Sequence, residues 1–323
     1  MWDTLGPARC VFVVAMNELD AVSQSAPPDE TLGEAAAFAG AQGPSSPPPS
    51  RVLLAIHGGC SPKQALRFAD RLVRSLGAEL HVLRVVPRVE SSPVAGDFIA
   101  IATREAQRVL AAARRTRAFC DAVLSESLPS PRVCVRLGSF VEQVALRAAE
   151  LNVALIAVPK SGLPLAATVI RLARKANRPV VVARGKANFS RLLAATDLED
   201  SQVPLLRKAA QLGRALEVTA VAVHGVLEAP EGRNGQARSL EESLSALERV
   251  TRCFEATVEG VVVRSRSRDP VSCIIEQARA HDAGLIVVGV RPRLDRAHPT
   301  TAAKLLKAAH HPVVVVPLGT LQP

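Results

Sequence analysis

Tyrosine is absent from the 323-residue chain and tryptophan occurs once. Any core must therefore be filled by Ala, Val and Leu, and the aromatic platforms on which single-stranded nucleic acids stack are missing. The six cysteines, at positions 10, 60, 120, 134, 253 and 273, form no C-x-x-C pair and no Cys/His cluster at metal spacing. That pattern excludes a zinc ribbon or a disulfide framework and fits reduced thiols in a cytoplasmic protein. There is no G-x-x-x-x-G-K-[ST] phosphate loop. The IHGG at 56–59 has the form of a hydrolase oxyanion loop, but no G-x-S-x-G elbow accompanies it anywhere. The N-terminal apolar run CVFVVAM has seven residues and almost no positive charge before it, which suits neither a signal peptide nor a membrane span. Met16 closes that run and offers a second candidate start of translation, which an intact mass would check.

The charge is lopsided. The chain carries a formal +10, whereas residues 1–50 hold six acids and one arginine, a net −5, so residues 51–323 carry +15. A basic balance of this size can serve nucleic acid or an anionic surface. Here the Lys and Arg residues are spread along the chain, which reads as a solvated surface; nucleic acid is not an expected partner. A steep loss of binding with salt would mark the opposite case. Residues 21–50, rich in Ala, Pro, Ser and Gly, lack periodicity, and residues 1–50 are expected to form a flexible tail.

From Arg51 onward one plan is written twice. RVLLAIH (51–57) and RLLAATD (191–197) are short apolar runs suited to strands covered on both faces. An amphipathic helix follows each. The first is expected to start with Ser61 as cap and Pro62 at the first helical position, and to stop at Gly77; the second follows Asp200-Ser201. Strands follow at 78–86 and 217–226, helices near 101–124 and 239–255, strands at 132–137 and 260–265, and helices at 140–152 and 270–282. Strands at 153–158 and 284–289, a further helix, and the valine strands RPVVVAR (178–184) and HPVVVVP (311–317) close the halves. Such alternation predicts an α/β fold: two tandem doubly wound domains, each with five parallel strands, over 51–186 and 190–319. Ligands on such sheets sit beyond the carboxyl ends of the strands, at the switch point.

Side by side, RLLAATDLEDSQVPLLRKAAQLGRAL, GLIVVGVRP and TTAAKLLKAAHHPVVVVPLG, with RVLLAIHGGCSPKQALRFADRLVRSLGAEL and VRLGSFVEQVALRAAELNVALIAV, resemble universal stress protein domains in tandem, over roughly 51–319. The resemblance implies an adenine-nucleotide-hydrolase-like fold, an Asp near the adenine at the end of the first strand, and a phosphate loop G-x-x-G, nine residues, G-[S/T]. Carried onto the second half, the Asp is Asp197 and the first glycine Gly289, with Arg291, Thr300 and Thr301 as further cofactor-binding candidates for ATP or another adenine nucleotide. The other two glycine positions are Pro292 and Pro299, and the loop is three residues shorter than the motif. Proline has no N–H and a fixed φ, so these changes degrade an anion cradle. Thr300 can serve simply as the cap of its own helix. In the first half His57 replaces the Asp, Pro159 replaces the first glycine and Ala166-Ala167 stand at the G-[S/T] place, while Gly162 and Gly138 still match.

In the family the valine strands pair to form dimers, so the resemblance implies that the halves pair through 179–184 and 312–317 as a pseudo-dimer. Further self-association and other protein partners stay open. No metal site is expected: His310 and His311 are adjacent on a helix end, where their side chains diverge. His57 and Cys60 share one turn without a third group and do not form a nucleophile–base pair. The implied role is a non-catalytic, stress-linked binding or scaffold protein in the cytoplasm. The alternative is an adenine-nucleotide sensor or weak ATPase that uses the second half.

Overall fold

The computed structural model describes residues 14–15, 50–57, 62–88, 98–124, 131–160, 165–184, 189–198, 203–227, 240–252, 258–265, 269–291 and 300–319. A two-residue strand, β1 (Val14–Ala15), precedes the first half, which runs β2 (Arg51–His57), α1 (Lys63–Leu76), β3 (Glu79–Val86), α2 (Phe98–Val123), β4 (Arg132–Leu137), α3 (Phe140–Glu150), β5 (Leu155–Pro159), α4 (Leu165–Ala176) and β6 (Val180–Ala183). The second half repeats it as β7 (Arg191–Ala195), α5 (Val203–Leu216), β8 (Thr219–Leu227), α6 (Leu240–Arg252), β9 (Val258–Ser265), α7 (Pro270–Ala280), β10 (Leu285–Val290), α8 (Thr301–Ala308) and β11 (Val313–Pro317).

The helix stops explain why the repeat survives divergence. Gly77 takes a left-handed φ of 56°, and the next amide, Ala78 N–H, reaches back to Val73 O at 3.0 Å. Asn152, Asn177, Glu217 and Asp282 take the same conformation after α3, α4, α5 and α7, with φ between 47° and 56°. Five helices thus turn into the next strand by one device, which closes orphan carbonyls at the helix end. The start of α1 differs from expectation by one place. Pro62 occupies the N-cap, its carbonyl accepting from Leu66 N–H at 2.8 Å, and Ser61 lies outside the described residues, as do Asp200 and Ser201. Strand β7 also ends before residue 197. The Thr196 hydroxyl accepts from Leu198 N–H at 3.1 Å and Leu198 turns left-handed at φ 59°, a local turn that competes with the ladder.

All strands join one sheet, in the order β1-β4-β3-β2-β5-β6-β11-β10-β7-β8-β9. Within each half the pairs are parallel, and the chain winds one way from β2 or β7 and then back to the other side. Strands β6 and β11 run antiparallel, with Val181 opposite Val314, so the two half-sheets are continuous. At the far edge β1 pairs antiparallel with β4, Val14 opposite Val135, although it falls in the segment expected to be a tail.

The valines of β6 and β11 are buried because helices cover both faces. One face carries α1 packed on α5, the other α4 packed on α8. Each face has a large hydrophobic cluster that draws on both halves: Leu54, Val181, Leu192 and Val314 on the first, Ile156, Val182, Ile286 and Val313 on the second. Arg184, just after β6, is 3% exposed and donates to the carbonyls of Leu306 and Ala309 at the end of α8. A cation from one half thereby satisfies the negative end of a helix in the other.

Candidate functional site

In the second half the winding direction reverses between β7 and β10. The carboxyl ends of these strands, with β8 and the first turns of α7 and α8, enclose a cavity of about 440 Å³. All five candidates, Asp197, Gly289, Arg291, Thr300 and Thr301, line it. Val223, Ile274 and Val288 supply apolar walls, while Asp197 and the threonine pair place polar groups on its border. A concave apolar slot with a few polar groups is the usual form of a small-ligand site, and the volume falls within the range of roughly 300–1,000 Å³ typical of one.

Each candidate can be placed. Asp197 accepts from the Arg291 Nη2 group at 2.9 Å; the two side chains are 44% and 53% exposed, so the pair is a loose surface bridge. Thr300 caps α8, its hydroxyl accepting from Ala303 N–H at 3.2 Å, and Thr301 opens the helix beside it. Gly289 has a packing reason for its identity. A Cβ there would lie 2.7 Å from Leu318 Cδ1 and 3.0 Å from Leu318 Cγ, well inside contact distance. Leu318 is 2% exposed and anchored through its N–H to Val290 O at 2.8 Å. The glycine makes room for a leucine from beyond β11. Pro292 and Pro299 lie outside the described residues.

Residues beyond the five candidates complete the site. His224 approaches Thr196 O through Nδ1 at 3.0 Å; donation to a carbonyl requires the proton on that nitrogen, which fixes the tautomer and steadies the turn leading to Asp197. Asp269 caps α7, accepting from Ser272 N–H at 3.2 Å and the Ser272 hydroxyl at 2.9 Å. The Ser272 side-chain bond, then the backbone donors, hold its carboxyl below the usual range. Cys273, on the next turn, is buried against the cavity. Arg174 arrives from α4 of the first half. Its Nε donates to Arg291 O at 2.8 Å, while its buried Nη1 has no partner among the described residues. Burial lowers the pKa of that guanidinium. A motif confined to one repeat has no way to signal a residue from the other.

The first half differs. Among the described residues, the pocket that His57, Phe140, Val158, Pro159, Leu165 and Thr168 line at the corresponding strand ends has about 10 Å³. Phe140 stands where the second half has Pro270, and its ring meets His57 edge-on at 5.8 Å. Helix α4 has twelve residues against eight in α8, and its first residue, Leu165, lines the small pocket. Gly138 keeps a φ of 132° that only glycine adopts readily, and its Cβ would lie 3.2 Å from Gln143 Nε2. Among the described residues no group of three or more His, Cys, Asp or Glu side chains could hold a metal. No helix among them is long and apolar enough to cross a membrane.

The universal stress protein family model matches residues 49–184 and again 188–317. The chain belongs to the universal stress protein family, in tandem form. A universal stress protein from Archaeoglobus fulgidus DSM 4304 is similar in fold: 16% identity, TM-score 0.58, with 83% of this chain and 96% of that one covered. A second similar structure is a putative universal stress protein from Pseudomonas aeruginosa UCBPP-PA14, at 18% identity and TM-score 0.49, covering 84% of this chain and 94% of that one. A third, the Archaeoglobus fulgidus universal stress protein in complex with dAMP, has 21% identity and a TM-score of 0.30, covering 41% of this chain and 99% of that one. No curated protein matches the chain.

Proposed function

We propose that the chain is a non-catalytic binding protein of the stress response, cytoplasmic, with one working nucleotide site at the strand ends of its second half. The second half takes a single adenine nucleotide or nucleoside, and the first half is its structural partner. The contrast in volume carries this reading, about 440 Å³ against about 10 Å³ at equivalent places in two copies of one fold. A purine ring fits between Val223, Ile274 and Val288, with the Asp197 carboxylate as acceptor for an exocyclic amine. The first turn of α8 and the unpartnered Nη1 of Arg174 favour an anion at the other end. The shortened connector with Pro292 and Pro299 gives up the amides that would cradle a β- or γ-phosphate, so AMP-sized ligands are favoured over ATP.

Calorimetric titration with ATP, AMP and cyclic AMP tests this on the full chain and on Asp197→Ala. The expected result is one AMP per chain, ATP no tighter than AMP, and weaker binding in the variant. A second AMP per chain that is lost in His57→Ala would refute the assignment of a single nucleotide site. Absence of heat with every nucleotide would leave a scaffold that acts through protein partners.

A further inference from the structure

A second cavity, of about 460 Å³, opens where the halves meet and shares no lining residue with the Asp197 site. It lies between the first turns of α5 and the segments that lead into β5 and β6, and is lined by Asn152, Asn177, Arg178, Pro204 and Lys208. Two cations therefore converge on it from different halves, Arg178 before β6 and Lys208 on α5, and no carboxylate is among its described lining residues. Arg178 is held in place by Asn152, whose side-chain oxygen accepts from Nη2 at 2.7 Å. That leaves the Asn152 amide NH2 as a donor in the same cavity. Lys208 has a long contact to Gln211 Oε1, at 3.4 Å. Burial, and then the charge of Arg178, push the Lys208 ammonium below its ordinary pKa. Pro204, in the first turn of α5, brings the positive end of that helix to the same place.

We propose that this junction cavity is a binding site for a phosphate-bearing small molecule, held by Arg178 from one half and Lys208 from the other. Two partly buried cations with no counter-ion among the described residues raise the free energy of the unliganded state, and a divalent oxyanion relieves it. Arg178 offers a planar fork and Lys208 a compact charge, the two donor types that suit phosphate oxygens. The volume exceeds that of a phosphate group alone, which leaves room for the molecule that carries it. Because each half supplies one cation, occupancy would also bind the halves together.

The test is calorimetric and thermal titration of the full chain with inorganic phosphate and pyrophosphate, against sodium chloride at matched ionic strength. Variants Arg178→Gln and Lys208→Gln each remove one cation; Arg115→Gln, on an exposed face of α2, is the matched charge control. Pyrophosphate is expected to bind the native chain, with affinity falling by roughly tenfold or more in either junction variant and unchanged in the control. Equal affinity in the junction variants and the native chain would place the anion elsewhere and overturn the proposal. So would a thermal shift reproduced by chloride, or no binding of either probe. Circular dichroism of the variants separates lost binding from lost folding.

Discussion

Gly289 can be assigned a role by experiment, because packing and phosphate binding predict opposite patterns. Substitution by alanine puts a methyl carbon 2.7, 3.0 and 3.2 Å from three side-chain carbons of Leu318, where about 3.5–4.0 Å is comfortable. Leu318 is buried and pinned by its own backbone bond to Val290, so it must change rotamer or shift by several tenths of an ångström. Overpacking of this kind costs about 1–3 kcal/mol. For a chain of this size that is a fall in Tm of roughly 2–6 °C. Leu318→Ala alone loses about 2–3 kcal/mol, the lower part of the usual range, because the side chain borders an existing cavity. In the double variant the added methyl meets no leucine, so Gly289→Ala should cost almost nothing further. Urea unfolding of the native chain, both single variants and the double variant, without any ligand, gives the coupling directly. A Gly289→Ala cost that is the same with and without Leu318 would refute the packing account. So would full native stability of Gly289→Ala combined with lost nucleotide binding.

Two further outcomes follow from buried arginines. Replacing Arg184 by methionine strands the carbonyls of Leu306 and Ala309 and is expected to cost about 2–4 kcal/mol in calorimetric unfolding; lysine should restore only part of it, since one ammonium cannot reproduce the fork, and complete rescue would count against the geometry. Arg136, 2% exposed, donates to Glu150 at 2.5 Å, and Glu150→Gln should cost about 2 kcal/mol near neutral pH, discounted because the carboxylate is 35% exposed. Burial alone would raise the pKa of Glu150, but the bonds from Arg136 and Arg147 outweigh it and the net direction is down. A depressed carboxylate stabilises the fold above its unfolded pKa of about 4.3, and that contribution is lost as pH falls through the lower folded value. The gap between native chain and variant in urea midpoint should therefore hold from about pH 6 to 8 and narrow below about pH 4; a gap independent of pH would contradict the assignment.

Local rules carried most of the architecture into the sequence. Apolar runs such as RLLAATD, the left-handed stop at Gly77 and the Asp269-Pro270 helix start are each set by neighbours a few residues away, so they can be read without coordinates. The candidate residues of the second half were reached through the resemblance of that repeat to the family's loop motif. What escaped notice depends on contacts distant along the chain. Leu318 fills the space beside Gly289 from beyond β11, and Arg174 crosses from the other half. Phe140 reads as an ordinary apolar residue at a helix start until the fold brings it against His57. Strand β1 is two residues long and its partner, β4, lies more than a hundred residues away, so no periodicity announces it.

The antiparallel seam between β6 and β11 joins two parts of one polypeptide, and this changes what the halves can become. Tethered partners meet at an effective concentration of about the millimolar level, which dilution of the protein does not alter. Two identical subunits would have to carry every substitution twice, in both copies at once. Here each half changes alone, and each molecule keeps the same unlike pair without exchange between copies. A small pocket in one half beside a larger one in the other, as the described residues have it, is a difference that only such a fused arrangement transmits intact to every molecule made.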